Sequence, residues 1–312
     1  FRVEIEEVGP VDIRVSITPT YHGQNIVLRI LSDKAEEHTL ETLGFSESDR
    51  EKIIKAIKRP FGMILSTGPT GSGKTTTLYT LIKRLNNPDV SIITIEDPIE
   101  YAVEDIEQIQ VNPRTNLTFA TGLRSVLRQD PNIIMVGEIR DPETAGLAVN
   151  TALTGHLLFS TLHTTDAATT LPRLLDLGVE PYLVASTVNV VIGQRLARRI
   201  CPNCVEKYNL TDVEKKSLEE TLPNAKFEDK KTFMRGKGCE FCNNSGYHGR
   251  IGINEVMVVD EEIRDAFLRR ASASEIKKIA TKNGMTPMIT DGFNKAAEGI
   301  TTVDEILRVI HE

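Results

Sequence analysis

The sequence contains no tryptophan, few other aromatic residues and only four cysteines. Aromatic residues make up 5% of the 312 positions, so the stacking surfaces that bind single-stranded nucleic acid are not indicated. Acidic residues outnumber basic ones by 44 to 37, which gives a net charge of −7. Binding to a phosphate backbone needs clustered lysine and arginine. We therefore expect no nucleic-acid partner.

Long apolar runs are also missing. The longest candidate, residues 182–192, is interrupted by Ser186, Thr187 and Asn189, and no run approaches the ~20 apolar residues that span a bilayer. The sequence shows no signal peptide and does not begin with methionine, so we expect a piece of a longer protein. Its hydrophobic fraction of 40% and charged fraction of 26% are those of a globular chain. The length predicts about two domains.

Short apolar strands alternate with amphipathic helices through most of the chain. Strands are predicted at residues 63–67, 92–95, 133–136, 157–160 and 250–258. Helices are predicted at 46–58, after residue 75, and at 260–270, 274–283, 287–297 and 303–311. This alternation is typical of an α/β fold with a mostly parallel sheet that is covered on both faces. Near the N-terminus, two further strands are indicated at 11–18 and 24–31, with a break at 19–23.

One glycine-rich segment matches the phosphate-binding pattern G-x-x-x-x-G-K-[ST]. Its residues are Gly68, Pro69, Thr70, Gly71, Ser72, Gly73, Lys74 and Thr75. In such a loop, successive backbone N–H groups face phosphate oxygens, and the following helix adds its positive N-terminal dipole. We expect Lys74 to reach the β- and γ-phosphates and Thr75 to bind Mg²⁺. Because the segment lies between a predicted strand and an amphipathic helix, we favour this function over a plain glycine-rich turn.

Acidic residues follow two of the predicted strands. Glu138 comes after one of them, at the sheet edge where phosphate sites form. We expect it to act on the metal through a water, and an ion pair with Arg140 is the alternative. Glu96, Asp97 and Glu100 come after the other strand and would repel each other unless cations neutralise some of them. Glu100 is the candidate general base, and a solvated acidic turn is the alternative.

Basic residues and a histidine supply further candidates. Arg124 and Arg128 are four residues apart and are predicted to share one helix face. They could stabilise charge on a transferring phosphoryl group, in this chain or in a partner subunit, or they could form surface ion pairs. His163 follows the strand predicted at 157–160. There it could sense a γ-phosphate or simply be a hydrogen-bonded residue near the strand.

The four cysteines form two C-x-x-C pairs. Cys201 and Cys204 make one pair, and Cys239 and Cys242 make the other, with residues 205–238 between them. Two such pairs close a tetrahedral site that leaves zinc no open position, so we predict a structural Zn²⁺ site. Disulfides are an alternative. Thioredoxin-like redox chemistry is another, although neither pair opens a helix after a strand.

Taken in order, these motifs resemble the secretion and pilus-assembly ATPases of the GspE and PilB type. The resemblance covers essentially the whole chain and rests on five segments: Gly68–Thr75, Ile95–Tyr101, Leu123–Arg140, Gly155–Asp166 and the tetracysteine module. It implies a RecA-like P-loop NTPase domain with a truncated small N-terminal domain and a tetracysteine zinc module. We expect the end of a small α/β domain at 1–33, a linker at 34–45, the ATPase core at 46–200, the zinc module at 201–249, and the last strand and helices at 250–312.

The resemblance also implies a function. In that family, hexameric rings in the cytoplasm hydrolyse ATP to move an inner-membrane platform protein, which assembles pilins or pseudopilins. It therefore implies ATP, Mg²⁺ and Zn²⁺, a homohexamer, the platform protein as partner, and a position at the inner face of the cytoplasmic membrane without a membrane span. It implies that Arg14 and Arg29 reach the nucleotide and that Glu100 and Glu138 act on water and Mg²⁺. The tetracysteine module indicates an assembly or secretion motor, because the retraction relatives lack it.

Two other functions are compatible with such a core. Nucleic-acid motors share it, but the acidic net charge and the scarcity of aromatic residues count against them. A nucleotide switch or scaffold would bind ATP and zinc without turnover. A DNA-dependent ATPase rate would favour the first, and an absence of turnover at saturating Mg-ATP would favour the second.

Overall fold

The computed structural model describes residues 2–5, 9–32, 38–210 and 232–311. Its first segment is a three-stranded antiparallel sheet with the strand order β1–β2–β3. The strands are β1 (Arg2–Ile5), β2 (Gly9–Thr20) and β3 (Gly23–Ser32). Both strands predicted here are therefore confirmed, and each is longer than expected.

The predicted break in this hairpin is too long. Pro19 still pairs with β3, and the turn consists of Tyr21 and His22. β1 pairs only with residues 9–12 of β2, so at Pro19 that strand has a single neighbour. A residue without an N–H group is tolerated at such an edge, which is why the proline does not end the strand.

The remaining strands form a large sheet and a small two-stranded sheet. They are β4 (Gly62–Thr67), β5 (Ile92–Glu96), β6 (Glu107–Gln110), β7 (Ile133–Val136), β8 (Leu157–Leu162), β9 (Val188–Ile200), β10 (Val205–Tyr208), β11 (Phe233–Gly236) and β12 (Tyr247–Val258). The large sheet has the order β12–β9–β4–β8–β7–β5–β6, and only its β12–β9 pair is antiparallel. β10 and β11 pair with each other. The predicted α/β fold with a mostly parallel sheet is confirmed.

β9 is not among the predicted strands. It lies between β12 and β4, and its first eight residues are all buried. These residues include Asn189, Gln194 and Arg195, so the strand shows neither the alternation of a half-exposed strand nor an unbroken apolar run. Periodicity alone therefore gives no signal for it.

Ten α-helices occur in the described residues. They are α1 (Glu47–Ile57), α2 (Lys74–Leu85), α3 (Phe119–Val126), α4 (Pro142–Leu153), α5 (Thr170–Asp176), α6 (Pro181–Thr187), α7 (Glu261–Leu268), α8 (Ala273–Lys282), α9 (Met288–Ala297) and α10 (Val303–His311). The helices predicted at 46–58 and beyond residue 260 are confirmed with small differences at their ends. None of the helices described has the length and apolar character that a bilayer span requires.

Side-chain caps begin several of these helices. The Ser46 hydroxyl accepts a hydrogen bond from the Asp49 N–H (3.2 Å) at the start of α1, and Asp141 accepts one from the Thr144 N–H (2.8 Å) at the start of α4. α2 differs, because its N-cap is Gly73 and no side chain caps it. The N–H groups of its first turn are therefore available to another acceptor.

Apolar clusters on both faces hold the large sheet. α1 and α2 cover one face through residues such as Ile53 and Leu78, and α3 to α8 cover the other through residues such as Leu123 and Val149. A third cluster, which includes Phe293, joins α9 and α10 to β9 and β12. The carboxyl ends of β4, β5, β7 and β8 therefore meet at one edge of a sheet that is packed on both sides.

Candidate nucleotide-binding site and cysteine cluster

The loop between β4 and α2 depends on glycine for its shape. Gly68 has φ = 143°, and a Cβ atom there would lie 2.3 Å from the carbonyl oxygen of Gln194 on β9. Gly73 has φ = 90° in the left-handed region directly before α2. The loop can therefore approach β9 closely and present its backbone at an uncapped helix N-terminus, which is the arrangement that binds phosphate.

Lys74, the first residue of α2, is only 7% exposed. Its Nζ donates hydrogen bonds to the carbonyl oxygens of Gly68 (2.8 Å) and Pro69 (2.9 Å). Burial lowers the pKa of Lys74 to about 8, and the nearby Glu138 carboxylate opposes this shift. The amine is therefore held within the loop, in position to meet a phosphate group.

A cavity of about 640 Å³ opens beside this loop, at the carboxyl edge of the sheet. Its volume is in the range of small-molecule sites, which is about 300–1,000 Å³. Nine predicted site residues line it: Thr70, Gly71, Ser72, Gly73, Lys74, Thr75, Glu100, Glu138 and His163. The fold thus brings the phosphate loop, two acids and the histidine to one place.

Glu138 follows β7 and is 7% exposed. Its Oε2 forms an ion pair with Arg140 Nε (2.6 Å) and lies 3.3 Å from His163 Nε2. The ion pair with Arg140 that was the alternative interpretation is therefore present. The same carboxylate also lines the cavity, so the ion pair and the expected metal role are compatible.

His163 reaches the cavity from the end of β8. The next residue, Thr164, fixes its loop to the neighbouring strand β4, because the Thr164 N–H donates to Thr67 Oγ1 (3.1 Å). The two hydroxyl groups also contact each other. Thr67 is the last residue of the strand that leads into the phosphate loop, so His163 and that loop share one anchor.

Glu255 of β12 joins the His163 loop to the C-terminal helices. It is 1% exposed, and burial raises the pKa of its carboxyl. One oxygen accepts a hydrogen bond from the Ala167 N–H (2.7 Å), and the other accepts from the Met288 N–H (3.0 Å) at the start of α9. Lys277 on α8 adds an ion pair with Asp166 (3.0 Å). Two C-terminal helices are therefore bonded to the segment that follows His163.

The three acids at the end of β5 and just after it differ in their exposure. Asp97 and Glu100 are exposed, whereas Glu96 is 2% exposed. The Glu96 carboxylate accepts hydrogen bonds from Thr94 Oγ1 (2.5 Å) and from the Tyr79 hydroxyl. Glu96 also lines the cavity but is absent from the predicted site. The sequence feature that could have identified Glu96 is its position as an acid at the end of a strand whose other residues are apolar or threonine.

Arg250 is a second lining residue that the predicted site lacks. It reaches the cavity from β12, beside Leu196 of β9. Its position depends on the pairing of strands that are far apart in the sequence. No local motif marks it, so spacing could not have identified it.

Arg124 and Arg128 do not share a helix face, which corrects the prediction. Arg124 lies on α3 and forms an exposed ion pair with Glu143, with 2.6 Å between Nη2 and Oε1. α3 ends before Arg128, and the chain turns at Asp130 (φ = 52°) ahead of Pro131. A proline disfavours helical geometry in the residue that precedes it. Neither arginine lines the cavity within the described chain, and their role toward a partner subunit stays a prediction.

Arg14 and Arg29 lie on the N-terminal hairpin. Their Cα atoms are register partners in the β2–β3 pair, so the two residues occupy the same level of neighbouring strands. Their side chains lie outside the described part of the structure. Contact of these side chains with a nucleotide stays a prediction.

The four cysteines meet between the β10–β11 sheet and the adjoining ends of β9 and β12. They are free thiols whose Sγ atoms lie within 4.8 Å of one another. The Sγ–Sγ distances are 3.8 Å for Cys201–Cys239, 3.9 Å for Cys204–Cys242 and 3.6 Å for Cys239–Cys242. A tetrahedron with bonds of about 2.3 Å to zinc has edges of about 3.8 Å, whereas a disulfide bond is about 2.05 Å long. The donor set therefore fits Zn²⁺.

Backbone N–H groups support this sulfur cluster. The Cys239 N–H donates to Cys242 Sγ (3.2 Å). Burial raises the pKa of the Cys204 thiol to about 12. At Cys242 burial acts in the same direction, but hydrogen bonds from the N–H groups of Cys239 and Gly246 and from the thiols of Cys239 and Cys204 outweigh it, and the pKa falls to about 6. The thiolate, which is the form that binds metal, is thus favoured at this position.

Comparison with known proteins identifies the family of the chain. The sequence profile of the Type II/IV secretion system protein family matches residues 1–308. The type IV pilus assembly ATPase PilB of Thermus thermophilus is 46% identical over 301 residues, which are 95% of this chain and 33% of that protein. The type II secretion system ATPase E of Vibrio cholerae is 44% identical over 303 residues, which are 97% of this chain and 59% of that protein. The chain thus spans a third to three fifths of these relatives.

Solved structures show the same fold. The pilus retraction motor PilT with bound ADP superimposes with a TM-score of 0.70 and 27% identity, over 99% of this chain and 76% of that one. The ATPase DotB of Legionella pneumophila gives a TM-score of 0.69 and 25% identity, over 100% of this chain and 76% of that one. These relatives confirm the predicted fold class and family. The chain therefore belongs to the Type II/IV secretion system protein family, the family of these secretion and pilus ATPases.

Proposed function

We propose that the chain binds and hydrolyses ATP with Mg²⁺ to power the assembly of pilins or pseudopilins. The observation that carries the proposal is the convergence of the phosphate loop, Glu100, Glu138 and His163 on one cavity. The names of the relatives, a pilus assembly ATPase and a type II secretion ATPase, support the wider role. As a whole protein it would act as a homohexamer in the cytoplasm, at the inner face of the membrane, on an inner-membrane platform protein.

The phosphate end of the cavity supplies charge and orientation. Lys74 neutralises β- and γ-phosphate oxygens, and the uncapped N–H groups of α2 hold them in place. Thr75 and, through a water, Glu138 would hold Mg²⁺, which when bound neutralises charge on the phosphates. His163 would sense the γ-phosphate through its contact with Glu138.

The acidic end supplies the base. Glu100 is exposed and lines the cavity, so its carboxylate can accept a proton from an attacking water. Buried Glu96 already accepts hydrogen bonds from two hydroxyl groups, and it suits a supporting role better. Glu100 is therefore our choice for the base.

Coupling to mechanical work would involve the rest of the chain. Arg14 and Arg29 of the small N-terminal domain (1–33) would reach the nucleotide as that domain closes over the core, and Arg124 and Arg128 would act across a subunit boundary. The linker (34–45), the core (46–200), the zinc module (201–249) and the C-terminal helices (250–312) complete the proposed division. Binding of one Zn²⁺ by the four cysteines would keep the module folded.

Two variants test the site. Lys74→Ala should lower ATP turnover below about a tenth of the wild-type rate, because it removes the cation from the phosphate loop. Lys55→Ala is the matched control, because it removes an exposed lysine from α1. Glu100→Gln should bind Mg-ATP without cleaving it. Normal turnover in Glu100→Gln together with its loss in Glu138→Gln would show that the two roles are wrongly assigned.

The wider role needs a different measurement. Full-length protein should retain the cytoplasmic domain of the platform protein in a pull-down, and its ATPase rate should not respond to DNA. A DNA-dependent rate without platform binding would support the nucleic-acid motor instead.

A further inference from the structure

The loop that carries Glu100 connects β5 to β6 and contains no helix or strand over residues 97–106. A catalytic base on such a segment needs external support, because a displacement of about 1 Å can cost about 100-fold in rate. Two side chains outside the loop support it: Gln108 hydrogen-bonds to the loop backbone, and Tyr79 hydrogen-bonds to Gln108. They carry the inference.

Tyr79 lies on α2, the helix that begins at Lys74, and is 1% exposed. Its hydroxyl donates to the Glu96 carboxylate and accepts a hydrogen bond from Gln108 Nε2 (3.3 Å). Burial and the negative charge of Glu96 raise the pKa of Tyr79, so the hydroxyl keeps its proton. Glu96 thereby fixes the direction of that proton and leaves the oxygen lone pairs for Gln108.

Gln108 lies on β6 and uses both ends of its amide. Its Oε1 accepts from the Val103 N–H (2.7 Å), and its Nε2 lies 3.2 Å from the Tyr101 carbonyl oxygen. The same Nε2 is 3.1 Å from Glu96 Oε1 and 3.3 Å from the Tyr79 hydroxyl. The backbone on the C-terminal side of Glu100 is therefore held by Gln108, which is itself bonded to Tyr79 and Glu96.

We propose that Tyr79 and Gln108 are positioning residues that set the distance between Glu100 and the phosphate loop. Tyr79 and Lys74 lie on the same helix, α2. The base and the phosphate-binding amine are therefore both positioned by one rigid element. This inference rests on the proposed role of Glu100 as the base.

A conservative pair of variants separates this role from general packing. Tyr79→Phe removes one hydroxyl and should lower kcat by about 10- to 100-fold, with the Kd for Mg-ATP within about threefold of wild type because the phosphate loop is untouched. Tyr101→Phe is the matched control. Its ring packs on that of Tyr79 with centroids 4.7 Å apart, but its hydroxyl has no hydrogen-bond partner among the described residues. It should keep the wild-type kcat.

The link to Glu100 is tested by a double-mutant cycle. If Tyr79 acts through the base, then adding Tyr79→Phe to Glu100→Gln should change the residual turnover less than about twofold. Hydrogen exchange of residues 97–106 gives a readout independent of turnover, and Gln108→Leu and Tyr79→Phe should both accelerate it. Tyr101→Phe should leave that exchange unchanged.

Several outcomes would overturn the inference. One is a wild-type kcat in Tyr79→Phe while Glu100→Gln is inactive, which would leave the proposed function standing. Another is a full, multiplicative loss when the two substitutions are combined. A loss of Mg-ATP binding in Tyr79→Phe would assign the residue a merely structural role. Normal turnover in Glu100→Gln would instead remove the base assignment on which the inference rests.

Discussion

Nucleotide binding should take up a proton above pH 8, because the amine of Lys74 is buried. Burial lowers its pKa from 10.5 to about 8, against the opposing effect of Glu138. In the free protein the charged form is therefore disfavoured, and at pH 9 only about 10% of the molecules carry it. Phosphate groups beside Nζ favour the charged form, so its pKa rises on binding and a proton is taken from solution.

The size of the effect follows from that pKa. With a pKa of about 8, the amine is about 90% charged at pH 7, so binding takes up about 0.1 proton there and about 0.9 proton at pH 9. Linkage then requires the affinity to fall about tenfold from pH 7 to pH 9, which is about 1.4 kcal/mol. The affinity falls as the pH rises because the pKa of Lys74 is low in the free protein, so binding must first protonate the amine.

Calorimetric titration with Mg-ADP avoids turnover and measures the proton directly. Titrations in two buffers with different ionisation enthalpies should give different apparent heats at pH 9 and nearly equal heats at pH 7. Lys74→Arg is the control, because a guanidinium stays charged at both pH values and its proton uptake should vanish whatever its affinity. A buffer-independent heat and an unchanged Kd at pH 9 in the wild type would refute the reasoning.

Three further predictions concern the fold around the site. Gly68→Ala should lower the free energy of unfolding by about 2–4 kcal/mol, because its Cβ would meet a β9 carbonyl oxygen at 2.3 Å. Cys239→Ser should abolish binding of one Zn²⁺ per chain and unfold the cysteine module, since structural zinc contributes about 10 kcal/mol, while the KM for ATP stays unchanged. Glu305 is buried, but its bonds to Arg308 and Arg198 outweigh burial and lower its pKa from 4.5 to about 2. Glu305→Gln should therefore cost about 2–3 kcal/mol at pH 7.

Controls and contrary results are specific to each. The free energy of unfolding of Gly68→Ala is measured by denaturant titration, with Gly146→Ala as the control. Gly146 lies on α4 with open space at its Cβ position, so Gly146→Ala should stabilise the chain slightly. An equal response in Gly68→Ala would contradict the clash. Metal analysis that finds no zinc in protein purified without chelators would reject the metal site. The stabilisation from Glu305 is present above about pH 4.5 and is lost as the pH falls toward 2, so its stability difference from Glu305→Gln must shrink over that range. A pH-independent difference would show that the carboxylate charge is not its source.

Features defined by adjacent residues were predictable from the sequence. The phosphate loop needs its glycines, Lys74 and Thr75 side by side, and the parallel strands β4, β5, β7 and β8 show short apolar runs. Each cysteine pair is also a local signal, so the cluster could be predicted without knowing how the chain brings the two pairs together. Such features depend on backbone geometry over a few residues.

Features that depend on distant pairing were not predictable in this way. Arg250 reaches the cavity because β12 pairs antiparallel with β9. Neither the sequence around Arg250 nor that of β9 indicates this pairing. In the sequence, Glu96 is one of three clustered acids and nothing distinguishes it from the other two. Its burial is explained only by the hydrogen bonds that Tyr79 and Thr94 donate to it. α3 ends before Arg128, and the chain turns at Asp130 ahead of Pro131, so the spacing of the two arginines alone does not predict where their side chains lie.

The bonds of Glu255 have a thermodynamic consequence for any molecule that binds α8 or α9. Its two carboxylate oxygens connect the start of α9 to the segment after His163, so a ligand that shifts these helices relative to β12 also changes the surroundings of the nucleotide cavity. Coupling between two binding sites is reciprocal. Whatever factor a partner on these helices applies to nucleotide affinity, the nucleotide must apply to the affinity for that partner, so the two bindings can be measured from either end.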